Sequence, residues 1–384
     1  MRSCDAVIIG AGPAGCAAAY DLAAAGLSVL LLDKKAFPRV KPCGGALTIK
    51  AVKRLRYSIA PVIRYVARDL EVSVDGRRKR RLTCGHPIAV MTVRQDFDAY
   101  CLERTLRCGA RFQQIGDVAR IEEDESGVTV SLDNGEELRC SYVIGADGAN
   151  SRVRKLLGAD RVTTALALEG HMPCSTAHGS SMRLDFGRVP GGYGWVFPKG
   201  DHLNIGLYSQ RADVTFAKKD LADYAKDLTG TDRVEEMIGY PIAIGGETYQ
   251  PTHKRILLAG DAAGMTDRLL GEGIHNAIAT GQAAALAIIA AAAGKAEAHV
   301  VYQREIEPIQ RDLKACTTGA RWFYDLHFLG LGRVFPIPRA RALMRGFAAG
   351  ENFRNIMRTC WISPFYAVEP VASVLEFEKL SLPH

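Results

Sequence analysis

Asp5-Ala-Val-Ile-Ile-Gly10-Ala-Gly12-Pro-Ala14-Gly15 is the stretch from which the fold can be read. A short apolar strand turns through three glycines, at G-x-G-x-x-G spacing, into an alanine-rich segment with helical character. Gly10 permits the tight turn, Gly12 lets the backbone approach a pyrophosphate, and Gly15 lets the helix pack close to the sheet. The first-turn N–H groups and the partial positive charge of the helix N-terminus suit phosphate. Gly26 ends the helix, Ser28–Leu32 reads as a buried parallel strand, and Asp33 closes it twenty-one residues after Gly12. At that spacing an acidic residue takes a ribose hydroxyl, with Lys34 beside it. Because strand, helix, second strand and carboxylate stand in order, the stretch reads as a dinucleotide cradle and not as an isolated glycine-rich turn.

The far end of the chain indicates which dinucleotide. Leu257-Leu-Ala-Gly260-Asp261-Ala-Ala-Gly264, followed by Gly271-Glu-Gly273-Ile274, resembles the second fingerprint of FAD-dependent oxidoreductases. That resemblance implies that Asp261 binds the ribityl chain and that the helix opening at Gly273-Ile274 points its N-terminus at the flavin.

Composition sets outer bounds. A chain of 384 residues exceeds one small core, so two domains or one elaborate α/β domain are expected. Hydrophobic content of 48% and charged content of 24% are those of a folded globular protein. Met1-Arg-Ser-Cys-Asp5 runs straight into the first strand without a signal-peptide pattern, which leads to the expectation of a cytoplasmic protein. The ten cysteines are scattered and include no C-x-x-C pair, which argues against a zinc or thioredoxin-like centre and for reduced thiols. His275 and His327 are too isolated to suggest metal ligation. The net charge of +7 is mild, with its densest run at Arg77-Arg-Lys-Arg-Arg81. That run reads as a solvated hairpin edge, or else as an attraction for anionic lipid or a diphosphate. Nothing points to nucleic acid.

Further segments follow in chain order. Pro38-Arg39-Val-Lys41-Pro42-Cys43-Gly44-Gly45 reads by itself as a glycine turn whose backbone can press against a flat ligand. It resembles the segment of the geranylgeranyl reductase family that lies along the cofactor, which implies Arg39 near the FAD phosphates and Cys43 and Gly44 near the isoalloxazine ring. Asp69–Val74 and Arg80–Cys84 read as a hairpin. Arg94 opens a helix reaching Leu106 and reads either as a helix-terminal surface charge or as an FAD contact; the same family places a nucleotide-contacting arginine there. From Asp117 to Cys140 the alternation and the Ser-Gly and Asn-Gly turns predict an antiparallel meander. The resemblance puts the Val118 backbone beside the adenine. Tyr142–Arg154 reads as strand, turn and helix, and its Asp147-Gly148 resembles the motif that flavoprotein hydroxylases and their relatives carry near the FAD pyrophosphate.

Between about Val162 and Tyr249 the pattern changes to short strands, interrupted by a helix at Phe216–Leu228. Here Pro190-Gly-Gly-Tyr193-Gly-Trp195-Val-Phe197-Pro198, with Asn204-Ile-Gly206 downstream, matches every marked position of the geranylgeranyl reductase signature. Alternation puts Tyr193, Trp195 and Phe197 on one face, where they either wall an apolar cavity or form a packed core. Ile274–Ala293 is apolar enough to suggest a membrane span, but His275, Asn276, Thr280 and Gln282 favour a buried helix. Trp322–Leu329 and Arg333–Arg345 combine aromatic residues with arginines, which suits packing, a cover for the substrate cavity, or peripheral membrane contact.

The expected fold class is therefore α/β. A Rossmann-type FAD-binding domain with a parallel sheet and a β-meander is expected at 1–68, 85–160 and 250–300. An antiparallel substrate domain is expected at 69–84 and 161–249, and a helical C-terminal segment at 301–384. The resemblance implies reduction of isolated carbon–carbon double bonds in a prenyl lipid, with FAD as cofactor and NAD(P)H or another donor supplying electrons. Cys43 is the candidate proton source or ring contact, and Tyr193 and Trp195 are the candidate walls of a prenyl tunnel. An FAD monooxygenase of an aromatic or lipid substrate, and a non-catalytic flavin or lipid carrier, are the competing readings.

Overall fold

The computed structural model describes residues 2–74, 76, 79–159, 162–173, 181–325 and 337–362. They fall into two compact units, one of residues 1–41, 94–165 and 241–317, the other of 42–93, 166–240 and 318–384.

The first unit is built on a seven-stranded sheet in the order Arg111–Gln114, Val29–Asp33, Arg2–Ile9, Glu137–Gly145, Gly127–Leu132, Val118–Asp124, with Ile256–Leu258 paired to Glu137–Gly145. The strands around Arg2–Ile9 pair in parallel, and the last three of the path form the expected antiparallel meander. Val29–Leu32 is buried at every position, as a parallel strand covered on both faces requires. Ile9 pairs with Gly145, and Gly145 with Leu258. This register delivers Gly10, Asp147 and Gly260-Asp261 to the same carboxyl edge of the sheet, where open α/β folds bind ligands.

Helix Ile274–Ala292 packs on helix Pro13–Ala24. The contact depends on Gly281, where an added Cβ would lie 2.2 Å from the Ala14 carbonyl oxygen. Ile274–Ala292 has the length and apolar character of a membrane span, but it is mostly buried in the protein.

The second unit carries a seven-stranded sheet in the order Glu235–Ile244, Thr163–Pro173, His202–Ser209, Gly192–Pro198, Met182–Phe186, Asp69–Val74, Arg80–Thr83. Its named pairs are antiparallel except Met182–Phe186 against Asp69–Val74. Helix Lys218–Thr229 covers one face through Leu221, Tyr224 and Ala225, packed on Leu168, Val196, Leu203, Ile205 and Leu207.

A three-stranded sheet of Ala46–Thr48, Ala89–Met91 and Tyr65–Ala67 belongs to this second unit. Residues 42–68 and 85–93 thus group differently from the sequence expectation, because polar contacts to Glu169 and Lys199 tie this region to the larger sheet. Residues 301–317 group with the first unit, where the Tyr302 hydroxyl donates to the Leu258 carbonyl at 2.6 Å. Helices Ile337–Ala349 and Phe353–Ile362 complete the described chain. Arg77, Arg78, His327 and Arg333 lie outside the described residues. Arg81, on the exposed edge strand, pairs with Asp69.

Candidate functional site

In the first unit the glycine cradle has the expected construction. An added Cβ would lie 2.3 Å from the Ala146 carbonyl oxygen at Gly10 and 1.8 Å from the Gly10 carbonyl oxygen at Gly15. Both positions are closed by packing. Gly12 differs, since the nearest atom to its added Cβ is Arg39 Nη2 at 3.7 Å. Asp33 accepts the Ala11 N–H at 2.8 Å and the Lys35 N–H at 2.9 Å, which leaves further lone pairs on the carboxylate. Lys34 forms an ion pair with Asp117 at 2.7 Å.

The Arg39 guanidinium stacks over Phe37 at 4.7 Å and lies 3.3 Å from Asp98. Asp98, fully withdrawn from water, also receives a two-pronged pair of bonds from Arg94, both at 2.9 Å. Two guanidinium groups against one carboxylate leave a net positive charge beside Gly12. Helices Pro13–Ala24 and Ile274–Ala292 both begin without a side-chain cap, so no capping group masks the partial positive charge of either N-terminus. An open glycine face, uncapped helix N-termini and a net positive charge fit an anionic dinucleotide such as FAD.

The second fingerprint is held by its own contacts. Asp261 accepts from the Thr266 hydroxyl at 2.8 Å, and an added Cβ at Gly273 would lie 2.5 Å from that hydroxyl oxygen. Asp267 accepts the N–H groups of Leu269, Leu270 and Glu272 and so shapes the loop through Gly271, whose φ is +65°. Ile274 opens the helix that follows.

Two expected contacts are largely taken up within the chain. The Asp147 carboxylate caps helix Arg152–Leu156, accepting from Ser151 Oγ and from the Arg152 and Val153 N–H groups. What lies against Gly10 is the backbone of this motif. The Val118 N–H donates to Asp117, and its carbonyl accepts from Arg152. Arg154, absent from the sequence-derived site, is buried and donates to the carbonyls of Ala149 and Ala262, joining the Asp-Gly turn to the second fingerprint. Burial lowers its pKa.

In the second unit Tyr193, Trp195 and Phe197 do share one sheet face, with successive ring centroids 6.2 and 6.1 Å apart. The Trp195 indole N–H donates to Asn204 Oδ1 at 2.7 Å. Gly206, paired with Trp195 across the ladder, has no side chain because the indole occupies that space, an added Cβ falling 2.1 Å from the ring. Gly44 packs on the same rings, its added Cβ lying 2.9 Å from Phe197 and 3.2 Å from the indole nitrogen. The Cys43-Gly44-Gly45 loop therefore lies directly on the aromatic face.

Residues distant in sequence hold this loop. The Cys43 N–H donates to Glu169 at 2.6 Å, and the Lys199 ammonium donates to the carbonyls of Gly44 and Thr92. The Gly45 carbonyl accepts from the Thr92 N–H at 2.8 Å. Lys199 is buried, and loss of hydration pulls its pKa down to about 7, with Cys43 and Glu169 partly offsetting the shift.

The chain matches the family profile described as FAD binding domain over residues 3–175. It is 35% identical over 300 residues to geranylgeranyl diphosphate reductase of Rhodobacter capsulatus, covering 74% of this chain and 75% of that one. The chain belongs to the geranylgeranyl reductase family. Menaquinone reductase of Mycobacterium tuberculosis is 34% identical over 316 residues, with 74% and 76% of the two chains covered. A geranylgeranyl bacteriochlorophyll reductase-like structure from Thermoplasma acidophilum shares the fold, with a TM-score of 0.77 at 19% identity over 99% of both chains. As a member of the geranylgeranyl reductase family, the chain gives its signature a physical content: Asn204 binds the Trp195 indole, Gly206 makes room for it, and Gly44 rests on it.

Proposed function

We propose that this flavoprotein reduces isolated carbon–carbon double bonds in a geranylgeranyl or other polyprenyl chain, with electrons drawn from NAD(P)H or another donor. The observation that carries the reading is the buried ladder of Tyr193, Trp195 and Phe197, with the Cys43-Gly44-Gly45 loop packed on it. The names of the Rhodobacter and Mycobacterium relatives support it.

An isolated alkene carries no carbonyl to polarise it, so the reaction needs a hydride, a placed proton and a dry site. Bound FAD, once reduced, supplies the hydride. The remaining tasks fall to the chain. Gly10, Gly12, Ala14, Gly15, Asp33, Arg39 and Arg94 would hold the nucleotide end, with Lys34 beside them, while Val118 and Asp147, their polar atoms largely engaged within the chain, would shape its surroundings and not bind it. Asp261, Gly271, Gly273 and Ile274 would hold the ribityl end. Tyr193 and Trp195 would exclude water and orient the prenyl chain. Cys43, fixed at its N–H by Glu169, is the candidate proton source or ring contact. Apolar substrates of this kind are compatible with peripheral membrane contact.

The test is anaerobic mixing of the purified flavoprotein with NADPH and geranylgeranyl diphosphate, followed by mass spectrometry. Reoxidation of the flavin with product heavier by pairs of hydrogens is the expected result. A flavin that stays reduced until air enters, with product that then gains oxygen, would replace this reading by a monooxygenase. Flavin that no donor reduces would point to a carrier.

A further inference from the structure

We propose that Lys199 and Glu169 are positioning residues for the reaction: together they grip the Cys43-Gly44-Gly45 loop. The inference rests on the functional reading above and deepens it, by assigning two residues that the signature does not mark.

The geometry is contained in the second unit. Lys199 continues the alternation of Tyr193, Trp195 and Phe197, so its side chain leaves the sheet on the aromatic face. It is 2% exposed and donates to two main-chain carbonyls, Gly44 on the loop and Thr92 beside the small sheet. Glu169 approaches from the strand Thr163–Pro173, on the far side of His202–Ser209, and takes the Cys43 N–H. The loop is thus held at one residue by a carboxylate and at the next by an ammonium. Thr92 closes the arrangement by accepting from Lys199 while its N–H and hydroxyl donate to the Gly45 carbonyl.

A buried lysine of this kind needs a reason, since main-chain carbonyls can be satisfied without a charge. Bonds from a charged donor are roughly twice as strong as neutral ones, so the ammonium can hold the Gly44 and Thr92 carbonyls more firmly than a neutral donor would. The charged and titratable groups facing Lys199 are Cys43 from the loop and Glu169 and His171 from the strand Thr163–Pro173. Burial opposes the ammonium, and Cys43 and Glu169 favour it. Their balance puts the change of charge near neutrality, with the pKa at about 7.

The experiment uses the full-length FAD-loaded protein and its Lys199→Met, Lys199→Arg and Glu169→Gln variants. Amide hydrogen exchange of the peptide carrying Cys43–Gly45 is followed from about pH 6 to pH 9 and corrected for the intrinsic rate. The pH profile of flavin reoxidation by geranylgeranyl diphosphate is recorded in parallel. The wild-type loop is expected to be about tenfold better protected than that of Lys199→Met, with faster flavin reoxidation. Lys199→Met should be unprotected and slow at every pH, Lys199→Arg should stay protected to alkaline pH, and Glu169→Gln should lose protection at Cys43. A Lys199→Met loop as well protected as the wild type overturns the proposal, and so does a Glu169→Gln variant that keeps full protection at Cys43. If the variants lose protection as expected but no prenyl compound reoxidises the flavin, the grip stands and the functional reading falls.

Discussion

Burying the Lys199 ammonium costs folding free energy, and the sign of that cost is set by its lowered pKa. Below about pH 7 the lysine is charged in both folded and unfolded chains, and the folded state bears the whole penalty. Between about 7 and the ordinary value of 10.5 only the unfolded chain stays protonated, so the penalty fades as pH rises. Lys199→Met should therefore stabilise the fold on the acid side, by on the order of a few kcal/mol less the two lost carbonyl bonds. The gain should shrink steadily toward alkaline pH. Thermal unfolding between acid and alkaline buffer reads this directly, and a gain that grew with pH would contradict it. Gly206→Ala tests the neighbouring contact. With its Cβ 2.1 Å from the indole, Trp195 must move and release Asn204, at a cost of about 1–3 kcal/mol and with a shift in tryptophan fluorescence. Only part of this cluster was legible in the sequence. Asn204 and Gly206 could be marked by the family signature, though not their tasks. Glu169 and Lys199 gave no signal, because they meet the loop across separations of 126 and 155 residues and bind main-chain atoms, which leave no motif.

At the level of elements, local patterns read most faithfully. The strand-glycine-helix unit, the meander, the hairpin Asp69–Val74 with Arg80–Thr83 and helix Lys218–Thr229 all rest on short-range periodicity and turn residues, and all are present. The first cradle was legible because its determinants are contiguous. Asp147 shows the limit of motif reading, since an Asp-Gly pair after a strand looks the same whether the carboxylate faces a cofactor or caps the next helix. Here it accepts from three donors at the start of Arg152–Leu156. Asp147→Ala is expected to lower stability by about 0.5–2 kcal/mol while leaving FAD affinity within a fewfold of wild type. Denaturant unfolding and flavin titration check the two halves separately. Unchanged stability with a large loss of FAD affinity would return the residue to the cofactor.

For the molecule as a whole, the FAD cradle has a consequence for stability. A ligand that binds only the folded form raises the unfolding free energy by RT ln(1 + [L]/Kd), about 2.7 kcal/mol at a hundredfold excess over Kd. The flavin-free protein is accordingly expected to melt several degrees lower, and the midpoint should climb with added FAD; a midpoint indifferent to FAD would contradict the cradle. Arg94→Met should blunt that climb, because it strips Asp98 of its two-pronged partner and reduces the positive charge beside Gly12.

The first unit is assembled from three separated stretches, with helix Pro13–Ala24 near the start of the chain and its partner Ile274–Ala292 far downstream. On the ribosome, the glycine turn emerges first and must wait for Gly281 to arrive before the helix behind it is covered. At about 5–20 residues per second that interval is on the order of tens of seconds. Strand Glu137–Gly145 waits less than half as long for Ile256–Leu258, with that stretch of its edge unpaired in the meantime. Cofactor capture is thereby a late event in synthesis, and the nascent chain depends on protection from aggregation until its last third has been made.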